Sequence, residues 1–71
     1  MIANVKTSHR IEGKPPNQRV VVIATFDQGN EHLAMGDEAP RMVDGKERPM
    51  DEAYHEALAK LILRIVNTVL T

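Results

Sequence analysis

The side chains best suited to chemistry in this chain are three histidines, His9, His32 and His55, and a scatter of carboxylates: Glu31, Asp37 with Glu38, Asp44, Glu47, Asp51 with Glu52, and Glu56. Imidazoles around an open coordination position, each oriented by a carboxylate, make a catalytic zinc centre. None of the histidine spacings is a metal-binding motif, so all three are read as structural or surface residues. His55, beside an apolar row, is also a candidate for a pH-sensitive contact. Paired carboxylates do acid–base work only in a pocket that shifts a pKa, and a chain this short has little room for one. They are expected in solvated loops and at a helix start. Thr7 and Ser8 lie beside His9, but on a strand adjacent residues point to opposite faces, so adjacency brings no hydroxyl to a base. The glycine-bearing "DQGN" and "MGDEAP" lack the spacing of a phosphate-cradling loop. The chain is therefore read as non-enzymatic, with no catalytic residue, cofactor or metal.

Nine Lys and Arg against ten Asp and Glu leave a net charge of -1, which removes any bulk attraction to phosphate or to an anionic membrane. A local exception lies on the first hairpin, where Lys6, Arg10, Lys14 and Arg19 cluster and Lys6 and Arg10 share a face. These are the candidate phosphate contacts of a nucleic-acid-binding alternative. Charge on an edge strand equally serves to keep it from aggregating.

Positioning those residues falls to a short series of elements. Ala3, Val5, Thr7, His9 and Ile11 alternate with Asn4, Lys6, Ser8, Arg10 and Glu12, which predicts a strand over about 2–12 with one wet face. "GKPPN" is a loop, because prolines cannot donate ladder hydrogen bonds. "RVVVIATF", residues 19–26, is the strongest strand signal, apolar on both faces like a central strand covered on both sides. "DQGN" turns the chain at Gly29 into a shorter strand at 31–35. Residues 36–49 hold two Gly and two Pro among charges and are expected to be loop, with a tight turn at Asp44-Gly45 and a brief edge strand at 41–43. Pro49 suits a helix start, Asp51 and Glu52 complement the dipole there, and a helix is predicted over about 50–70. The fold class is α+β: a three-stranded antiparallel meander packed by one long C-terminal helix, in a single domain of residues 1–71.

At about 100° per residue, Tyr54, Leu58, Leu61, Ile62, Ile65 and Val69 form one stripe that should cover the sheet, with Met50 and Ala57 at its margin. A second apolar row, Ala59, Leu63, Val66 and Leu70, lies on another side. One small sheet cannot cover both. Seventy-one residues with no cysteine form a marginal core and no disulfide, so a partner subunit is the expected reinforcement. The second row is accordingly the expected homodimer interface. An apolar tip at Met42 and Val43, flanked by Arg41 and Asp44, is the expected contact for a larger protein. The absence of cysteine fits a reducing cytoplasm. The N-terminus shows no apolar leader, and residues 57–70 are interrupted by Lys60 and Arg64, so no membrane partner is expected.

Antiparallel strands followed by a helix opening "PMDEAYHEALAKLIL" resemble the latter part of a double-stranded-RNA-binding domain, whose last helix carries an alanine-rich run. That family grips phosphates with lysines at the start of the helix. Here those positions are Met50, Asp51 and Glu52, and the family's first helix has no counterpart, so the resemblance implies the strand–helix order and not RNA binding. In size, near-neutral charge and lack of a catalytic motif the chain is also similar to small regulators and inhibitors made by bacteriophages and mobile elements. The expected function is non-enzymatic protein binding as a homodimer, with nucleic-acid binding through the basic hairpin as the alternative.

Overall fold

The β-branched run at residues 19–26 builds the middle of the molecule. In the computed structural model, which describes residues 1–69, it lies within β2 (Arg19–Gln28), flanked by β1 (Ile2–Glu12) and β3 (Glu31–Pro40) in an antiparallel sheet of order β1-β2-β3. A small two-stranded sheet, β4 (Met42–Val43) and β5 (Lys46–Glu47), leads into α1 (Met50–Val69). The α+β meander with one C-terminal helix is thus the architecture. Leu70, assigned from sequence to the helix end and the dimer row, lies outside the described residues.

Turn chemistry accounts for the connections. Gly29, with φ 61°, is the first of the two residues joining β2 to β3, the place where a tight hairpin requires positive φ. Asp44 and Gly45, with φ 53° and 76°, form the β4–β5 turn, in which both central residues are left-handed. The helix begins as expected after Pro49, whose carbonyl accepts from the Glu52 and Ala53 N–H groups at 3.1 and 3.3 Å.

Alternation along β2 decides the core. Val20, Val22 and Ala24 are buried beneath the helix, where Ala39 of β3 and Ala53, Ala57 and Leu61 of α1 meet them, and Phe26 is buried on the same face of β2. Alanines from both layers let the helix lie close to the sheet, and each fully buried large side chain such as Leu61 or Phe26 contributes roughly 1.5–3 kcal/mol. Met50, Tyr54, Leu58 and Ile65 pack at the border of this core.

Four expectations need correction. Residues 36–40 are strand, not loop, since each pairs with β2 from Ile23↔Gly36 to Arg19↔Pro40; ladder hydrogen bonds outweigh the weak strand propensity of "GDEAP". Residues 46–47 are a second short strand and not loop, so that the expected brief strand near 41–43 and turn at Asp44-Gly45 close into the β4–β5 hairpin. The helix is rotated from the expected stripe: Ala53 and Ala57 sit at its buried centre, while Ile62 is 54% exposed. Small residues win the contact line because they allow the closest approach. Finally, β2 is buried on one face only; Val21, Ile23 and Thr25 on the other are half-buried.

β1 departs from simple alternation. Its register against β2 shifts between Ala3 and Lys6, where Asn4 takes φ 55°, so Asn4 and Val5 together oppose Phe26. This is a β-bulge, and it swaps the faces on either side of it. Thr7, His9 and Ile11 lie opposite Ala24, Val22 and Val20, on the helix side, but before the bulge it is Ile2 and not Ala3 that takes that side.

Candidate protein-contact surface

The two edges of the sheet are treated differently. Arg41 N donates to the Gln18 carbonyl at 2.9 Å, continuing the ladder in which odd-numbered β3 residues bond to β2. Even-numbered β3 residues therefore point their carbonyls outward. Three of those carbonyls are occupied by cations: Arg64 donates to Gly36 O at 2.8 Å, Lys60 to Glu38 O at 3.3 Å, and Arg48 to Pro40 O through Nε at 3.0 Å and Nη2 at 2.8 Å. The helix and the residues before it thus seal the C-terminal half of the β3 edge.

β1 has a neighbour on one side only, and among the described residues no side chain bonds to its main chain. The same alternation carries across the sheet. Even β2 residues bond to β3, so Val21, Ile23 and Thr25 bond to their partners Arg10, Ser8 and Lys6, and the N–H and C=O groups of Thr7, His9 and Ile11 face outward. The helix sits over β2 and β3, leaving every β1 residue from Ala3 to Ile11 exposed. Tyr54 reaches across, its ring edge-on to His9 at a centroid distance of 5.1 Å. Val5 and Ile11 are 57% and 47% exposed.

The helix carries its own uncovered apolar row. Leu63 is 62% and Val66 39% exposed, and Ala59, one turn before Leu63 on the same row, is exposed as well. The Met42–Val43 tip is only partly open: Val43 is exposed, Met42 half-buried. Asp44 is exposed in the turn. Arg41 is held within the molecule, with ion-pair contact to Glu47 at 2.6 Å and a hydrogen bond to the Arg48 carbonyl at 2.8 Å.

Of the basic hairpin residues, Arg10 pairs with Glu12, and Arg19 bridges Glu12 at 2.9 Å and Glu38 at 2.7 Å. The Arg10 guanidinium, first among these, holds the Glu12 carboxyl below its usual range. Lys6 and Lys14 are exposed. The four cations therefore do not form a free basic patch, because two are neutralised by neighbouring carboxylates.

The histidines do not converge. His9 is on the helix face of β1, whereas His32 is on the opposite sheet face, with Nδ1 2.7 Å from Asp27 Oδ1. His55 is exposed and tilted against Tyr54 at 5.6 Å. Among the described residues no group of three or more His, Cys, Asp or Glu side chains is placed to hold a metal. Asp27 instead fastens the bulge: Asn4 Nδ2 donates to its Oδ2 at 2.8 Å, and this bond, followed by that of His32, lowers the Asp27 pKa. A depression of about 500 Å³ is lined by Gln18, Arg19, Asp37, Glu38, Pro40 and Lys60, among others. It is broad and open, on a molecule only 15 Å thick along its shortest axis.

The fold and its surface define a small two-layer α+β protein with one open and one partly capped sheet edge. No protein-family model, no curated protein and no solved structure matches the chain. No helix among the described residues is long and apolar enough to cross a membrane. Sequence reasoning did not find the edge-sealing roles of Arg48, Lys60 and Arg64. Their signal was present in the spacing of Lys60 and Arg64 on one helical face, but its target was hidden while residues 36–40 were read as loop.

Proposed function

We propose that the chain is a non-enzymatic protein-binding module that works as a homodimer in the cytoplasm and blocks or redirects a larger protein, as small phage and mobile-element regulators do. The observation that supports this reading best is the apolar surface the fold leaves uncovered. Ile62, Leu63 and Val66 are 54%, 62% and 39% exposed on a single helix. Burial of each by a partner recovers up to roughly 1.5–3 kcal/mol, a large fraction of the stability of a domain this small. Ala59, Leu63 and Val66 offer a contact row on the outside of the helix, and Val43 with Asp44 offers an apolar tip with a charged rim.

Affinity capture from the source cell with wild type, Leu63→Glu/Val66→Glu and Val43→Asp tests the reading. The same partner should be recovered by the wild type and lost by at least one variant, while circular dichroism shows each variant folded. Capture that survives both sets of changes assigns the contact elsewhere, and a chain that retains no partner and sediments as a monomer removes the reading. For the nucleic-acid alternative, a gel-shift titration against salt is the discriminating measurement, since affinity carried by phosphate contacts falls steeply as counterions compete. With Arg10 and Arg19 already ion-paired, no shift is expected at physiological salt.

A further inference from the structure

We propose that a second copy of this chain pairs with the open edge of β1, strand against antiparallel strand, with His9 on the two-fold axis, so that the dimer is one continuous six-stranded sheet. This rests on the dimeric reading above but places the dimer contact on the β1 edge, which leaves the helix row at Ala59, Leu63 and Val66 to the larger protein.

The asymmetry between the edges motivates it. Three cations occupy the outward carbonyls of Gly36, Glu38 and Pro40, so the C-terminal half of the β3 edge cannot accept a strand, and only the short stretch before Gly36 is left without such cover. β1 has no such cover, and its outward N–H and C=O groups at Thr7, His9 and Ile11 form a pairing template. A two-fold axis makes such a contact self-complementary.

Charge and the bulge then select the register. With His9 opposite the partner's His9, Thr7 lies opposite the partner's Ile11, Ser8 opposite the partner's Arg10, and Lys6 opposite the partner's Glu12. Opposite charges face each other on the open side, and the exposed methyls of Ile11 and Thr7 meet on the helix side. Roughly six main-chain hydrogen bonds form over residues 6–12. Moving the axis to Ser8 puts Lys6 against the partner's Arg10, and moving it to Arg10 puts that residue against itself; both are like-charge pairs. Centring on Thr7 brings the bulge at Asn4 and Val5 into the ladder, where one strand has an extra residue. Centring on Ile11 runs off the strand end at Glu12. The charges that guard this edge against indiscriminate pairing thus leave one arrangement open.

Three substitutions test it in the full-length chain. His9→Pro removes an N–H that faces away from β2, so the intramolecular ladder keeps its bonds while the intermolecular one loses its centre. It should convert a dimer into a monomer in sedimentation velocity. Lys6→Glu sets two like-charge pairs into the dimer and should weaken it about tenfold. Because the chain contains no cysteine, single cysteines report the register directly. His9→Cys should cross-link two copies under mild oxidation, since paired positions lie about 5.5 Å apart at Cα. Thr7→Cys should not, its own counterpart being four residues away along the ladder. A wild-type dimer that His9→Pro leaves intact, or that cross-links through Thr7→Cys better than through His9→Cys, overturns this interface while leaving the dimeric reading in place. If His9→Pro fails to fold, the cysteine pair still decides the matter. A wild type that remains monomeric at the highest attainable concentration overturns both.

Discussion

Arg64, in the second half of α1, donates from Nη1 to the main-chain carbonyl of Gly36 in β3 at 2.8 Å. A side chain from the covering layer thus occupies an acceptor on the rim of the layer beneath, and Lys60 repeats the contact one helical turn earlier at Glu38. The Arg64 guanidinium also lies 4.0 Å from Asp37, whose carboxylate accepts from the Glu38 N–H at 2.8 Å. Removing both cations by Lys60→Ala/Arg64→Ala reopens the β3 edge. Species larger than those of the wild type are expected, and faster growth of scattered light on warming, because unpaired strand edges template further pairing. Scattering that matches the wild type would show that the seal is dispensable.

Leu61 and Leu63 occupy the same helix two residues apart, yet Leu61 is 1% exposed and Leu63 62%. Leu61→Ala is expected to cost about 2–5 kcal/mol in urea unfolding, the loss of transfer energy plus the cavity left against Val22 and Ala57. Leu63→Ala is expected to stay within about 0.5 kcal/mol when the measurement is made dilute enough to keep the chain monomeric. Equal effects would mean that Leu61 and Leu63 are buried alike.

Acid should loosen this fold in a defined direction. Glu12 and Glu56, with ordinary values of 4.5, and Asp27, at 3.8, are all held lower in the folded chain, by Arg10, Arg48 and Asn4 respectively. The unfolded chain therefore binds more protons, and the stabilisation is fully present above the ordinary values and lost as pH falls through the folded ones. The thermal midpoint should be level from about pH 7 to 5 and decline below about 4.5. Asp27→Asn should lower the midpoint at neutral pH and make the decline shallower. A midpoint that rises on acidification contradicts the assignment.

Arg48, in the link between β5 and α1, ties β3 to the helix: its side chain donates to Pro40 O at the end of β3, lies 2.7 Å from Glu56 Oε2, and 3.6 Å from Glu52 Oε1. Its guanidinium pKa is raised, chiefly through the hydrogen bond to Glu56. Arg48→Ala should release the β4–β5 hairpin without unfolding the sheet. Hydrogen exchange would show faster exchange over residues 41–47 and unchanged protection at Val20 and Val22, as expected of a local opening. Loss of protection throughout would make Arg48 part of the global folding unit instead.

Some of this molecule was legible from residue order alone. The strand character of the β-branched run at 19–26, the glycine turn at Gly29, the Asp44-Gly45 turn and the helix start at Pro49 are local signals, and each was read correctly because backbone preference acts within a few residues. Total apolar content was legible as well, which is why the exposed helix row at Leu63 and Val66 could be anticipated. The strand character of residues 36–40 was not, because "GDEAP" has little propensity of its own and is held extended by bonds to residues more than a dozen positions earlier. The helix orientation was hidden too: hydropathy ranks Ile62 above Ala53, but contact between layers is decided by closest approach, which favours alanine. The bulge at Asn4, which swaps the faces of β1, and the difference between its open edge and the capped edge of β3 arise from side chains and strands distant in sequence. Local conformation was therefore written in the residue types, whereas which surfaces remain uncovered, and so where another chain can bind, was settled only when the layers came together.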